Sequence, residues 1–424
     1  MLTILRRHDF ARLWLGQLVS QLGDMVLLTA LPFYVYQLTG SIVQTGLMFV
    51  VETLPRLLLG ALAGVFVDRW NRRWTLILSD AARAAVLLLL LLVHTRDRIW
   101  LVYGVALVQS IIGLFFAPAL VAFLPGLVAP EDLTAANAMQ SLAEALTRFS
   151  GPALGGALLG LLGIAGVVGV DSASFAFSAA LLLLIAAPSP RRSAGGGSGT
   201  SRRWTALWRE MGDGLRLVRG SPVLRAIFVS SGLFVLGSGI ASVSLVVFVR
   251  EVMGGTALTM GWMAMAQASG GFLGSLLITR VSRRMRPVYL MAVPLLIAGV
   301  TVLVWVNRPA LLLVLPLIAI MGVFIVGFGV TSQTLLQGQT ADQFRGRVAG
   351  ALATTNALML LVGMLIATTL GDRLGVVWLL DGTAILSLLA GIAALFMLRA
   401  EGICAQQQAA VETAAALGVA GQDR

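Results

Sequence analysis

A chain of 424 residues has the length of two or three soluble domains, but 58% hydrophobic and 12% charged residues exclude that architecture. The formal net charge of +11 comes entirely from arginine, since the chain has no lysine. A phosphate-cradling GxxxxGK[ST] loop is thereby excluded, and arginines scattered between apolar stretches do not make a nucleic-acid surface.

The apolar stretches run to about 20 residues or more, the length of helix that crosses a hydrocarbon core of about 30 Å. Runs such as Ala84 to Val93 and Ala179 to Ala187 do not alternate as the strands of a membrane barrel do. The expected fold class is therefore an all-α membrane protein. The single Cys404 rules out an intrachain disulfide. His8 and His94 are too few and too far apart in sequence for a metal site, and no cofactor is expected. The apolar stretch after Arg6, Arg7 and Arg12 is too long for a signal-peptide core, so the first segment is read as a retained helix.

Charges, glycines and prolines bound the expected spans in chain order at 13–37, 41–67, 74–93, 99–122, 135–161 and 163–187. The stretch 188–222 divides the chain, a Gly- and Ser-rich linker followed by an Arg-rich surface helix with Trp204 and Trp208 as interfacial anchors. Spans then follow at 223–249, 257–281, 288–306, 310–334, 346–370 and 377–398, with a tail at 399–424. Twelve spans put both termini on one side. That side, with the central segment, holds 22 arginines. The other holds Arg96, Arg98, Arg250, Arg308 and Arg373, while Arg56, Arg83 and Arg148 lie inside spans. Positive charge stays cytoplasmic, so both termini are expected there.

Sliding 223–398 onto 1–187 at an offset of 211 superposes Gly60 on Gly271, Arg69 on Arg280, Arg72 on Arg283 and Arg73 on Arg284. The two six-span halves read as repeats of the same membrane orientation, with a substrate site expected between them near mid-membrane.

The loop after the second span, Gly64-Val65-Phe66-Val67-Asp68-Arg69-Trp70-Asn71-Arg72-Arg73, resembles the G-x-x-x-D-R-x-G-R-R signature of the major facilitator superfamily. It departs at Asn71, a residue that tolerates left-handed backbone. The resemblance implies a cytoplasmic latch between the halves made by Gly64, Asp68, Arg69, Arg72 and Arg73. Asp80 and Arg83 begin only about 10 Å along the helix from Arg73 and are read as bracing it. Gly151-Pro152-Ala153-Leu154-Gly155-Gly156 resembles the GPxxGG core of the superfamily's antiporter signature, with Thr147 where an upstream glycine is usual. The stretches from Leu13-Trp14-Leu15-Gly16-Gln17 through Gly23-Asp24, from Glu52 to Arg56 and from Asp342 to Arg347 are similar to the branch of macrolide efflux proteins and the enterobactin exporter. This resemblance implies an exporter in a bacterial cytoplasmic membrane, acting as a monomer.

Ionisable groups at mid-bilayer cost at least about 2.5 kcal/mol and require a partner, water or a function. Glu52 with Arg56 and Glu144 with Arg148 share helical faces at a spacing of four. Asp24 lies about 18 Å beyond Arg12, with no cation three or four residues away along its own helix. Asp24 is therefore the first candidate to bind and release a proton, assisted by Glu52 or Glu144. Gln17 and Gln21 on the same stripe, with Gln267 and Asn356 in the second half, are candidate substrate-lining groups. Asp171, whose counterpart Gly382 adjoins Asp381, is assigned a structural role shared by both halves.

These readings converge on a secondary exporter of small amphipathic molecules by proton antiport, its partners being the small-molecule substrate, protons and the lipid bilayer. A siderophore or lipid-like cargo is the alternative, followed by an uncoupled facilitator and a transport-dead receptor. An enzyme is not expected, for no nucleophile and base constellation emerges.

Overall fold

The computed structural model describes residues 2–67, 70–186, 218–282 and 284–399, and among these it is helical with no strand. The helices are α1 (His8–Thr39), α2 (Ile42–Val67), α3 (Arg72–Leu87), α4 (Ile99–Phe123), α5 (Leu133–Leu183) and α6 (Pro222–Val247). They continue with α7 (Ala257–Val281), α8 (Pro287–Asn307), α9 (Leu311–Gly338), α10 (Asp342–Leu374) and α11 (Val376–Arg399). The helix satisfies its own backbone groups, which is what lipid demands of these apolar sequences. Among the described residues, ten segments are long and apolar enough to cross a membrane, Pro130–Leu183 among them. The expected linker helix up to residue 217, and the tail beyond Arg399, lie outside the described residues.

Several helices overrun the spans read from hydropathy. The first was expected over 13–37 and runs from His8 to Thr39; the eleventh was expected over 346–370 and runs from Asp342 to Leu374. Hydropathy marks only the lipid-crossing part, whereas backbone bonding carries a helix past it. Conversely, α3 tightens after Leu87 into a 3₁₀ turn over the leucines Leu88–Leu92.

A straight helix of the 51 residues in α5 would be about 75 Å long, more than twice a hydrocarbon core. It breaks instead at Gly163, whose φ of 66° and ψ of −171° lie in a region essentially reserved for glycine. Gly375, with φ 79°, separates α10 from α11 and stands one residue from the equivalent point of the repeat. Gly163→Ala is expected to destabilise the protein by about 1–3 kcal/mol. The check is thermal unfolding in detergent against Gly160→Ala, a helical position with open space beside it.

The two halves repeat one packing scheme. In the first, α1 lies along both arms of α5, α3 packs on α5 and α4, and α2 on α4. In the second, α6 lies along α10 and α11, α8 packs on α11 and α9, and α7 on α9. The halves meet mainly through α5 with α7 and α2 with α10, which are equivalent pairs. Small residues bring these backbones together, as they must where lipid supplies no hydrophobic drive. The outside is greasy, with Leu161 82% and Leu312 92% exposed, as befits a surface in contact with acyl chains rather than water.

Candidate functional site

The halves close on each other at the end remote from the termini. Tyr36, at the end of α1, donates its hydroxyl to Glu251 Oε1 at 3.2 Å. Ile42 at the start of α2 sits against Gly371, and Gly46 against Thr368. Glu251 lies in a π-helical turn, Phe248–Val252, that follows α6. The GPxxGG segment contributes directly: Gly151 and Gly155 face Met25 and Val26 of α1, while Gly156 faces α7. A Cβ on Gly156 would lie 2.6 Å from the Leu258 Cα, and one on Gly261 would lie 2.7 Å from the Ala153 Cα. Pro152 sits at the same crossing, where its carbonyl adjoins Gly261. This short segment therefore packs one arm of α5 against its own half and the other half together.

Behind this closure are two adjoining cavities. The first, of about 650 Å³, is walled by α1, α2, α3 and α4 and carries Asp24, Glu52, Arg56, Arg83, Gln109 and Ser110 among apolar groups. The second, of about 390 Å³, lies between the halves, with Thr29, Phe49 and Pro152 on one side and Met260, Met263, Gln267 and Trp305 on the other. Leu28 lines both. An acidic lobe in one half thus adjoins a softer lobe in the other, where the hydroxyls of Ser238, Ser242, Thr383 and Ser387 donate to carbonyls of their own helices.

The acidic lobe is organised around Arg83. Its Nη2 donates to Asp24 Oδ1 at 3.0 Å and Oδ2 at 3.3 Å. Its Nε donates to Gln109 Oε1 at 3.1 Å, and Gln109 Nε2 donates back to the Arg83 carbonyl at 3.0 Å. The guanidinium lies 4.3 Å from the centre of the Phe175 ring, a cation–π contact. Glu52 is held more loosely, with Arg56 Nη2 3.9 Å from Oε1 and the Arg56 side chain 68% exposed. Of the two carboxylates in the cavity wall, Glu52 has the weaker internal counter-ion.

This arrangement corrects two expectations. Asp24 does have a cation, delivered by α3 rather than by its own helix, and Arg83 stands in the cavity wall rather than in the latch. Spacing along one helix shows only neighbours at i±3 and i±4, so a partner on another helix was invisible to it. Asp80, also assigned to the latch, is fully buried and faces the Ser178 hydroxyl, with neither carboxylate oxygen making a well-formed hydrogen bond.

Glu144 and Arg148 are both exposed, line neither cavity and, among the described residues, form no ion pair with each other. Gln267 lines the second cavity. Gln17 is buried outside both, Gln21 is likewise outside them, and Asn356 accepts a hydrogen bond from Ser231 at 3.0 Å within the second half. Asp171 and Asp381 differ in setting: Asp171 is fully buried, whereas Asp381 Oδ1 accepts from Asn307 at 3.0 Å at an exposed position. A structural role common to both halves therefore does not describe them.

In the signature loop, Gly64 falls within α2, while Asp68 and Arg69 lie outside the described residues. Asn71 is not left-handed; at φ −72° and ψ 110° it is the N-cap of α3, its side chain accepting from the Trp74 N–H at 3.2 Å. Arg72 opens α3. Arg73 donates to the carbonyls of Leu182 at 3.2 Å and Leu183 at 2.7 Å, and Arg12 to that of Leu184 at 2.7 Å. Cations at the end of α5 satisfy its last carbonyls and oppose its dipole. These contacts of Arg73 are made within the first half. Gln109 and Phe175 were missed from the sequence; a lone amide inside the apolar run of α4 was the available signal.

A family model described as Major Facilitator Superfamily matches residues 13–364 and 227–417. Macrolide efflux protein A of Streptococcus pyogenes is 23% identical over 89% of this chain and 93% of its own length. The multidrug efflux pump Tap of Mycolicibacterium fortuitum is 27% identical over 94% and 98%. Among solved structures, a bacterial homologue of the iron transporter ferroportin in an inward-facing state superposes with a TM-score of 0.71 at 17% identity, covering 92% of this chain and 98% of that one. The likeness to that structure is one of fold. With a family model spanning both repeats and relatives that are efflux transporters rather than enzymes, the chain belongs to the Major Facilitator Superfamily, as an efflux-type transporter crossing the bacterial inner membrane many times.

Proposed function

We propose that this chain exports small amphipathic molecules from the cytoplasm in exchange for protons, its halves rocking around the two adjoining cavities. Counting α5 as two passes across Gly163 and α7 as one yields twelve, with both termini cytoplasmic. The state described here is then read as open to the cytoplasm, since among the described residues the interhalf contacts gather at the opposite end. The efflux relatives support outward transport, and the macrolide and multidrug names they carry support an amphipathic cargo.

The observation that carries this reading is the Asp24–Arg83 pair in the wall of the cavity beside the interhalf lobe. A proton arriving at Asp24 replaces the Arg83 cation as the neutraliser of that carboxylate. A protonation event thus rearranges an ion pair that joins α1 to α3, a local electrostatic change of the kind that biases a two-state element. Glu52, loosely paired, is the group left for a cationic portion of the cargo, while Met260 and Met263 accept its apolar body. At a membrane potential of about 150 mV, one charge moving inward supplies roughly 3.5 kcal/mol, enough for a concentration ratio of a few hundred.

The test is proton flux into liposomes containing the purified protein, with erythromycin or tetraphenylphosphonium presented as cargo. Wild type is expected to couple cargo movement to protons, and Asp24→Asn to lose that coupling. Cargo movement without any proton flux in the wild type would overturn antiport, and full flux in Asp24→Asn would move the role to Glu52.

A further inference from the structure

Asp171 is a carboxyl group that the exchange of a proton at Asp24 alone does not use. It sits on the second arm of α5, completely buried, with Oδ2 lacking any hydrogen-bond partner. Its other oxygen accepts only a long bond, 3.4 Å, from Ser174 Oγ. Across the interface lies Gly23: any side chain there would overlap Asp171 Oδ1, so this carboxyl adjoins the residue preceding Asp24. Arg83 stacks on Phe175, one helical turn beyond Asp171 on the same face of α5. The charges of Asp24 and Arg83 both act on Asp171.

The charged groups facing this spot are few. From α1 comes Asp24, from α3 come Asp80 and Arg83, and α4 contributes the neutral Gln109. Arg56 is turned toward Glu52 and solvent. Three carboxyls therefore answer to a single guanidinium, while Glu52 of α2, which lines the same cavity, has Arg56 of its own. Ionising all three would leave two negative charges without a counter-ion inside a membrane, where uncompensated charge is not tolerated cheaply. Arg83 directs Nη2 at Asp24 and Nε at Gln109, so in this state Asp80 and Asp171 are both without the cation, and Asp171 is the one that adjoins the residue before Asp24.

We propose that Asp171 is a second proton-binding group of the coupling site and that it shares the Arg83 guanidinium with Asp24. This rests on the antiport reading above. In the state described, Asp171 and Asp80 each hold a proton and the guanidinium is on Asp24; Asp80 keeps its proton throughout. When an O–H bond forms at Asp24, the guanidinium is released from it and turns to Asp171, whose O–H bond breaks. One proton enters at Asp24 and one leaves from Asp171, and the site holds the same net charge before and after. The arrangement passes a proton through the bundle without ever burying a second unpaired charge.

The test combines infrared spectroscopy and transport on the full-length protein. The difference spectrum between wild type and Asp171→Asn is expected to contain the carbonyl stretch of a protonated carboxylic acid that shifts in D₂O. Asp171→Asn is also expected to bind tetraphenylphosphonium as wild type does but to lose proton-driven accumulation, and Asp171→Glu to restore part of it. If Asp171→Asn fails to give monodisperse protein, Asp171→Glu must still displace the band; an unmoved band overturns the proposal. A difference spectrum showing only an ionised carboxylate overturns it too, as does full proton-driven accumulation by Asp171→Asn. A wild type that shows the protonated band but no cargo-linked proton flux refutes antiport while leaving Asp171 a proton-binding group, so the two failures are separable.

Discussion

Replacing Arg83 by methionine is expected to abolish proton-driven transport and to cost about 3 kcal/mol of stability, more than Asp24→Asn costs. The asymmetry follows from what each change leaves behind. Without Arg83, whose side chain is only 14% exposed, the partly buried Asp24, 34% exposed, loses both hydrogen bonds to its carboxylate and the buried Asp171 loses a cation that acts on it. Asp24→Asn instead preserves an oxygen that can accept from Nη2, and the guanidinium keeps Gln109 and the Phe175 ring. A charge left buried without a partner is penalised more than the pair is rewarded, so the double variant Arg83→Met with Asp24→Asn is expected to recover part of the loss. Thermal unfolding in detergent, together with proton flux in liposomes, provides the readout. Equal stability of the two single variants would show that Arg83 is not the counter-ion holding this site.

The second large effect is expected at Gly156. Leucine there would meet backbone of α7 rather than a movable side chain, since the first added carbon already lies 2.6 Å from the Leu258 Cα. Overpacking of this kind costs about 1–3 kcal/mol, and here it is relieved by separating the halves at the end remote from the termini. A penalty of about 2 kcal/mol shifts a two-state population roughly thirtyfold. Gly156→Leu is therefore expected to trap the protein open at that end and to stop transport while leaving each half folded. Spin labels at Ser41 and Arg373, in a background with Cys404 replaced by serine, should report a longer separation than in the parent. Gly160→Leu, with no neighbour within 4 Å, is the control. An unchanged distance distribution would mean that this crossing does not govern closure.

The same contrast between what lies along a helix and what lies across it separates the legible from the hidden features. The 3.9 Å contact of Glu52 with Arg56 was readable, because residues four apart on a helix are neighbours whatever the fold. The pairing of Asp24 with Arg83 was not, since 59 positions of chain separate them and only the packing of α1, α3 and α5 brings them together. Glu144 and Arg148 show the opposite error: a permitted spacing that the side chains do not use. Asn71 tolerates left-handed backbone, but here its backbone is extended and its side-chain oxygen caps α3.

The sequence by itself determined that this chain lies in a membrane as helices and that matching positions recur in its two halves at one offset. Those properties follow from hydropathy and periodicity, both of which are read along the chain. Only the tertiary structure decided which cation answers which acid, which glycines face another backbone, and that Arg83 stands in the cavity wall beside Asp24 while Glu144 stands apart. Those outcomes depend on the rotation and approach of helices distant in sequence, and in lipid these are set by close packing of small residues and by a few polar contacts rather than by any pattern within one span.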